Sequence, residues 1–447
     1  MEDKKGFIDI CLGLQWGDEG KGKIVDYLAK DYDIVARFQG GPNAGHTLWH
    51  GNDKIVLHNL PSGILHEHVK NFIGPGCVVD PQTLLQEINS VRILLNYPLE
   101  RMKELVYLSK NAFVIHPLHK LLDRAIENSK GENKVGTTGK GIGTSYAGIK
   151  NRTNFRFGDF LLKNETFIDS DFYHNFMKDL SEEIIFHDKD FAEHLNSSAI
   201  KNALLDFEFG LAQLTEFVTP VDTFWLEDQI ISGKKVLAEG AQGTMLDNNF
   251  GCYPMVTSSN TIAGAAPVGL GVPMKYFRKT IGVCKWYTTK VGEGDFPSEI
   301  DSDDLAHLMR EAGGEVGATT GRPRRIGWFD VPQMNYAIRL NAVDELIITK
   351  VDINPFEKVE VVSSYVVGFY EDEEHTTCMF PFDTLEIRSV IRHCLKMKWQ
   401  RFDDETSMLH SDFALYLNYL KNQLDRNVKI THISVGPYRN DIEEVLF

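Results

Sequence analysis

Phe7-Ile8-Asp9-Ile10-Cys11-Leu12-Gly13-Leu14, then Gln15-Trp16-Gly17-Asp18-Glu19-Gly20-Lys21-Gly22-Lys23, then Ile24-Val25-Asp26-Tyr27-Leu28-Ala29-Lys30, form the stretch on which the fold turns. The first run is short and apolar and reads as a buried strand. The second is a glycine-rich turn and the third a helix. Asp33 to Phe38 reads as a second strand, ending in Gly40-Gly41-Pro42-Asn43-Ala44-Gly45. Strand, loop, helix and strand in that order predict parallel α/β architecture. Further strands are expected at Lys235 to Ala238, Thr280 to Tyr287, Glu345 to Thr349, Lys358 to Val367 and Val428 to Val435. Several end in glycine-bearing or polar loops, where ligands of open α/β sheets gather.

The turn from Gly17 to Lys23 has the spacing GxxxxGK between a strand and a helix. Glycines there let backbone N–H groups close on phosphate oxygens, and the helix N-terminus adds a favourable dipole. Lys21 and Lys23 supply positive charge. The usual phosphate loop continues with a Ser or Thr that holds Mg²⁺, but Ile24 stands in that place. The metal then needs another ligand, and Asp18 is the obvious carboxylate. The competing reading is a solvated Gly/Lys turn. The fold class expected is α/β: a large, mostly parallel central sheet flanked by helices, P-loop-NTPase-like with insertions.

Leu346-Ile347-Ile348-Thr349-Lys350-Val351-Asp352 reads as a strand ending in TKxD. An Asp there can accept from N1–H and the 2-amino group of guanine. Adenine lacks the second donor and would leave a buried carboxylate underbonded. The alternative is an ordinary polar strand end. Beside the phosphate loop, the motif favours GTP over ATP.

The remaining sequence sets bounds. At 447 residues about three domains are possible, but no repeat or low-complexity linker is visible, so residues 1–447 are expected to form one domain with helical and loop insertions. A net charge of −16 argues against general nucleic-acid binding, while Arg322-Pro323-Arg324-Arg325 concentrates positive charge locally. The six cysteines form no CxxC pair and suit a reducing compartment. The N-terminus does not read as a signal peptide, because Asp9 breaks its short apolar run, and no stretch approaches 18 continuous apolar residues. A cytoplasmic enzyme is expected. Phe413, Leu417, Leu420 and Leu424 recur at helical spacing. Phe160 to Glu227 is helical in pattern without an interpretable motif.

With these motifs in view, the chain resembles the adenylosuccinate synthetases along essentially its whole length. The resemblance rests on Gln15 to Lys23, Gln39-Gly40-Gly41-Pro42-Asn43-Ala44-Gly45-His46-Thr47, Gly136-Thr137-Thr138-Gly139-Lys140-Gly141-Ile142-Gly143 and Glu239-Gly240-Ala241-Gln242-Gly243-Thr244. It continues through Tyr253-Pro254, Val256 to Thr261, Gly317 to Arg325, the TKxD block and Ser434-Val435-Gly436-Pro437. It implies a GTP- and Mg²⁺-dependent ligase that joins L-aspartate to inosine monophosphate (IMP) through a 6-phosphoryl intermediate. Asp18 and His46 are implied as the catalytic pair, with Asp18 the base. GTP would meet Gly17, Glu19, Gly20, Lys21, Gly22, Lys23, Gly45, His46, Thr47, Arg324, Lys350, Val351, Asp352, Ser434, Val435 and Gly436. IMP would meet Asp18, Lys21, Asn43, Ala44, Gly45, His46, Thr138, Gln242, Thr257 and Arg322, with Arg152 reaching the site of a second subunit in a homodimer. Aspartate would meet Ala318, Thr319, Thr320, Gly321, Arg322 and Arg324. One Mg²⁺ per subunit would sit on Asp18 and the Gly45 carbonyl.

The chain departs from the family pattern at Leu14, Lys140, Thr144-Ser145, Thr153 and Lys290. Two of these place Lys where relatives carry Arg, and Lys cannot reproduce a bidentate contact. A GTP-dependent switch would explain the phosphate loop and TKxD, but not Ile24, the Asp18/His46 pair or the Arg loop. A catalytically impaired nucleotide-binding relative is the other alternative.

Overall fold

In a computed structural model of the chain, the structure describes residues 5–131, 136–161, 167–190, 197–317, 321–353, 361–370, 373–377, 380, 394–397, 411–425 and 428–445. Ala318, Thr319 and Thr320 of the expected aspartate loop lie outside the described residues, as do residues 358–360 of the expected Lys358 strand.

Ten strands make the central sheet: β1 (Phe7–Gly13), β2 (Ile34–Arg37), β3 (Lys70–Ile73), β4 (Val106–Ser109), β5 (Thr219–Val221), β6 (Lys235–Glu239), β7 (Phe277–Lys285), β8 (Glu345–Thr349), β9 (Lys429–Ser434) and β10 (Ile442–Glu444). Their order is β10-β9-β8-β7-β1-β6-β2-β3-β4-β5. The pairings β6/β2, β2/β3, β3/β4 and β4/β5 are parallel, as are β7/β8 and β8/β9. The short terminal strand β10 runs antiparallel to its neighbour β9. A large, mostly parallel sheet flanked by helices is therefore what the opening stretch encodes. Asp9, which interrupts the apolar run of β1, is fully buried. Its carboxylate accepts from the Tyr32 hydroxyl at 2.6 Å and from Arg278 Nε at 2.9 Å.

The first helix, α1, spans Lys21–Leu28 and so begins three residues before the expected Ile24. Gly20 (φ 84°) turns the chain, and Ile24 N–H donates to the Gly20 carbonyl at 3.3 Å. Lys21, Gly22 and Lys23 thus form the first turn, whose amides have no partner within a helix.

The chain packs as two compact units. One comprises Met1–Asp9, Val25–Glu239 and Gly264–Arg278; the other comprises Ile10–Ile24, Gly240–Ala263 and Lys279–Phe447. The core of the first unit joins Leu84, Ile88 and Val91 to Leu118, Phe155, Phe176, Phe207 and Leu211. The segment expected to be helical between Phe160 and Glu227 holds helices Asp171–His187, Ser198–Phe217 and Trp225–Ile231, besides strand β5. Ser170 and Ser197 cap the first two by accepting from Tyr173 N–H (3.2 Å) and Ile200 N–H (3.4 Å). In the second unit, a smaller cluster gathers Trp16, Met245, Cys252, Phe296, Val362, Tyr365 and Phe380. The expected amphipathic helix is Ser411–Gln423, and Leu417, Leu420 and Leu424 are buried. Cys11, Cys77, Cys252 and Cys284 are buried free thiols. Among the described residues no helix is long and apolar enough to cross a membrane.

The aromatic cluster of the first unit surrounds a buried histidine pair. His116 Nδ1 accepts from Leu118 N–H at 3.2 Å, and His119 Nδ1 accepts from His116 N–H at 3.0 Å, capping the helix that begins at Pro117. Phe176 and Phe207 meet the His116 ring edge-on. Burial holds His116 well below 6.5 and pushes His119 down to about 3. The folded protein therefore refuses protons that the unfolded chain takes up below about 6.5, and stability is lost as pH falls through that value. His119→Asn keeps an acceptor but removes the titration. The stability gap between wild type and variant, measured by urea unfolding, is expected to shrink by about 1.4 kcal/mol between pH 7.5 and 5.5. A gap that does not change with pH would contradict this reading of His119.

Candidate active site

The phosphate loop is wrapped around a carboxylate. Glu19 is completely buried and accepts from Gln15 N–H at 3.1 Å, Gly17 N–H at 2.9 Å and Lys21 Nζ at 2.5 Å. A Cβ at Gly13 would lie 2.4 Å from one Glu19 oxygen, and one at Gly243 would lie 2.5 Å from the other, so both positions need glycine. Glu19 is thus the internal brace of the loop, and Lys21, only 4% exposed, rests on it. The Thr349 hydroxyl, at the end of β8, donates to the Glu19 carbonyl at 2.7 Å. The TKxD strand end and the phosphate loop are therefore pinned together.

Lys23 does not follow Lys21. Its ammonium donates to Ser434 Oγ at 2.8 Å, the Gly436 carbonyl at 2.6 Å and the Asp441 carbonyl at 2.8 Å. Val351 N–H donates to the Ser434 carbonyl at 3.1 Å, and Lys350 Nζ to the Gly313 carbonyl at 2.8 Å. The expected guanine residues Lys350, Val351, Asp352, Ser434, Val435 and Gly436 accordingly meet around one pair of neighbouring strand ends.

Asp18 has a left-handed backbone (φ 60°), and its carboxylate lies 2.9 Å from Arg324 Nε. Nη1 of Arg324 donates to Glu315, which is fully buried and also accepts from Lys285 Nζ at 2.9 Å and from the Tyr287 hydroxyl. Burial alone would raise Glu315, but the Lys285, Arg324 and Lys350 cations and the Tyr287 hydroxyl overcome it and hold the carboxyl at about 2. Burial in turn lowers Lys285 to about 8 against the pull of Glu315. This network was not read from the sequence. The only clues are Glu315 and Lys285 standing in otherwise apolar or glycine-rich surroundings.

Gln242 combines two unusual features. Its backbone is left-handed (φ 56°), and both polar atoms of its buried amide lack a hydrogen-bond partner. Buried amides left this way are rare in native proteins and point to a ligand. Thr257 is held close in the chain by its N–H, which donates to the Leu246 carbonyl at 2.8 Å. Gly317 N–H donates to the Arg322 carbonyl and Gly321 N–H to the Gly317 carbonyl, both at 2.8 Å. These bonds tie Gly317 to Gly321 and Arg322, both of which are exposed.

In the other unit, His46 opens the strand His46–His50 and is 6% exposed. Its Nδ1 lies 2.5 Å from Glu239 Oε1 at the end of β6. Ser62 donates to the same carboxylate through its hydroxyl at 2.6 Å and its N–H at 2.8 Å. Burial alone would raise Glu239. The His46 and Arg37 charges and the two side-chain hydrogen bonds outweigh it and hold the carboxyl below its ordinary value. Asn43 Oδ1 accepts from Gly41 N–H at 3.2 Å, giving the Gly40–Gly45 loop its turn before His46 and Thr47. Lys140 Nζ donates to the Pro42 carbonyl at 2.7 Å, fastening that loop to the Gly136–Gly143 loop. Asp123 holds the second loop, accepting from Thr137 Oγ1 at 2.9 Å and Gly141 N–H at 3.0 Å, and leaves Thr138 exposed. The departures at Thr144 and Ser145 are absorbed locally. Thr144 Oγ1 donates to the His119 carbonyl at 2.8 Å, and Asn154 donates to Ser145 Oγ at 2.8 Å. Arg152 ends the helix Ile142–Asn151 in a left-handed conformation (φ 65°) and is exposed. Glu239 is the residue missed on this side; a carboxylate closing the apolar run Val236-Leu237-Ala238 was its signal.

Similarity to known proteins agrees with this geometry. The sequence profile of the adenylosuccinate synthetase family matches residues 10–443. The chain is 40% identical to the adenylosuccinate synthetase of Christiangramia forsetii over 97% of its own length and 98% of that protein. It is 40% identical to the enzyme of the same name from Phocaeicola vulgatus, over 98% of each. The solved structure of fully ligated adenylosuccinate synthetase from Plasmodium falciparum superimposes with a TM-score of 0.83 at 30% identity, covering 99% of this chain and all of that one. The chain belongs to the adenylosuccinate synthetase family.

Proposed function

We propose that the protein is the GTP-dependent ligase that joins L-aspartate to C6 of IMP, giving adenylosuccinate, GDP and phosphate by way of 6-phosphoryl-IMP. This is the first committed step from IMP toward AMP. One observation carries the residue-level reading. Among the described residues six non-glycine positions have positive φ, and four of them, Asp18, Arg152, Gln242 and Lys350, are expected substrate contacts that lie far apart in the sequence. Strained backbone of this kind concentrates at functional sites.

Asp18 is the base that takes the N1 proton of IMP. O6 then attacks the γ-phosphoryl group, the O6–P bond forms and GDP leaves. His46, its ring set by Glu239 on Nδ1, acts through Nε2 on the oxygens that gain charge. The amino group of aspartate next attacks C6, and phosphate departs with O6. Lys21, the amides of Gly20 and Gly22, Gly17, Gly45 and Thr47 hold the GTP phosphates, while Lys350, Val351, Asp352 and the Ser434–Gly436 turn hold guanine. Asn43, Ala44, Thr138, Gln242, Thr257 and Arg322 hold IMP. Arg152, exposed at its helix end, reaches the IMP of a second copy in a homodimer. Ala318, Thr319, Thr320, Gly321, Arg322 and Arg324 clamp the aspartate carboxylates.

The donor set suits Mg²⁺, one per subunit. Asp18 already carries a cation, Arg324, on a carboxylate that is 28% exposed, and carboxylate and carbonyl oxygens match a hard ion whose remaining positions go to phosphate and water. Asp18 and the Gly45 carbonyl would hold it, and it would neutralise charge on the transferring phosphate. For Asp18 to serve, Arg324 must turn from it, and Glu315 keeps that guanidinium paired as it does. The protein would act in the cytoplasm.

The test is to mix purified protein with IMP, GTP, L-aspartate and Mg²⁺, omit each in turn, and follow the purine ultraviolet spectrum. Conversion that needs all four is the expected result. Slow GTP loss indifferent to IMP and aspartate would favour a switch protein instead.

A further inference from the structure

We propose that Lys23 is a positioning residue for guanine selection and not a phosphate ligand, an inference that rests on the GTP reading of the same site. An ammonium has three N–H donors. All three are engaged, by Ser434 Oγ, the Gly436 carbonyl and the Asp441 carbonyl at 2.6–2.8 Å. These acceptors lie on the turn after β9, the turn to which Val351 of TKxD is also bonded. Lys23 itself sits in the first turn of α1, one helical step from the loop that Glu19 braces. The side chain therefore runs away from the phosphate loop and ties its helix to the base-recognition turn.

The turn needs such a tie. A Cβ at Gly436 would meet the Asp441 carboxylate at 2.4 Å, and that carboxylate accepts from Tyr438 N–H at 2.7 Å, while Val435 N–H donates to the Asp441 carbonyl at 2.9 Å. The loop from Ser434 to Asp441 is thus folded on itself, and Lys23 is the charged anchor that fixes it to α1. Burial lowers Lys23 to about 8, with Asp441 and Asp352 opposing that fall. Asp352, the guanine carboxylate, is close enough to feel its charge.

Lys23→Gln removes the charge and one of the three donors, and shortens the side chain. Lys23→Arg keeps the charge but replaces a compact three-donor head by a planar fork that cannot converge on three acceptors in the same way. Affinities of the full-length protein for guanosine, GTP and inorganic tripolyphosphate would be measured by titration calorimetry. Both variants are expected to weaken guanosine and GTP by the same factor, at least about tenfold, with tripolyphosphate changed by less than about twofold. Guanosine binding unaffected while GTP and tripolyphosphate weaken together would overturn the proposal and make Lys23 a phosphate ligand. Wild-type affinity of Lys23→Arg for both guanosine and GTP would also overturn it. If Lys23→Gln does not fold, the Lys23→Arg comparison alone decides. Wild-type protein that binds neither guanosine nor GTP would instead sink the GTP reading beneath it.

Discussion

Asp18→Ala is expected to lower kcat by about 10²–10⁴-fold while leaving the fold standing, the range that a positioned general base contributes. The chemistry requires it: without N1 deprotonation, O6 of hypoxanthine is a poor nucleophile. The structure separates this catalytic loss from collapse. The Asp18 carboxylate is 28% exposed, and Arg324 keeps its second partner, Glu315. Loss of Asp18 leaves no uncompensated buried charge, because Glu315 still neutralises the guanidinium. Rate and melting temperature should therefore part company, with kcat falling steeply and Tm hardly at all. Near-normal turnover by the folded variant would remove Asp18 from the role of base.

Glu315→Gln carries the largest expected effect on stability. The substitution leaves Lys285, which is completely buried, and Arg324 without their shared counter-charge. Breaking a buried pair on one side costs about 3–5 kcal/mol, read as a fall in the urea midpoint. Pairing it with Lys285→Met should recover part of the loss, because an unpaired buried ammonium is removed with its partner. The pH dependence has a defined sign. The fold holds Glu315 at about 2 against an ordinary 4.5, so its contribution is complete above about 4.5 and disappears as pH falls toward 2. A Glu315→Gln protein as stable as wild type at pH 7 would show that the network is not the support described.

The sequence was most legible where chemistry forces residue type and spacing together. The run from Phe7 to Lys30 specified strand, phosphate loop and helix, and TKxD was correctly placed at the end of a parallel strand. The helix starts three residues before the expected Ile24 because Gly20 and Gly22 dilute the helical signal there, while the left-handed Gly20 that precedes α1 is visible only in the backbone. Lys23 illustrates a deeper limit. From spacing it is a phosphate lysine, yet its partners lie more than 400 residues away, and no local pattern reports a contact of that range. Glu315 and Glu239 were missed for the same reason. Each earns its role through partners brought together by the sheet, Lys285 with Arg324 in one case and His46 with Ser62 in the other. Gln242 was legible as a family position, but its orphaned amide, the physical sign of a waiting ligand, exists only in three dimensions.

The central claim is that O6 of IMP is the phosphoryl acceptor, and an isotope label tests it most directly. IMP carrying ¹⁸O at C6 would be turned over with GTP, L-aspartate and Mg²⁺, and the released phosphate analysed by mass spectrometry. Attack by O6 followed by displacement at C6 leaves one ¹⁸O in every phosphate formed. Unlabelled phosphate beside normal adenylosuccinate would mean that water or another group takes the γ-phosphoryl, and the roles given to Asp18 and His46 would fall with it.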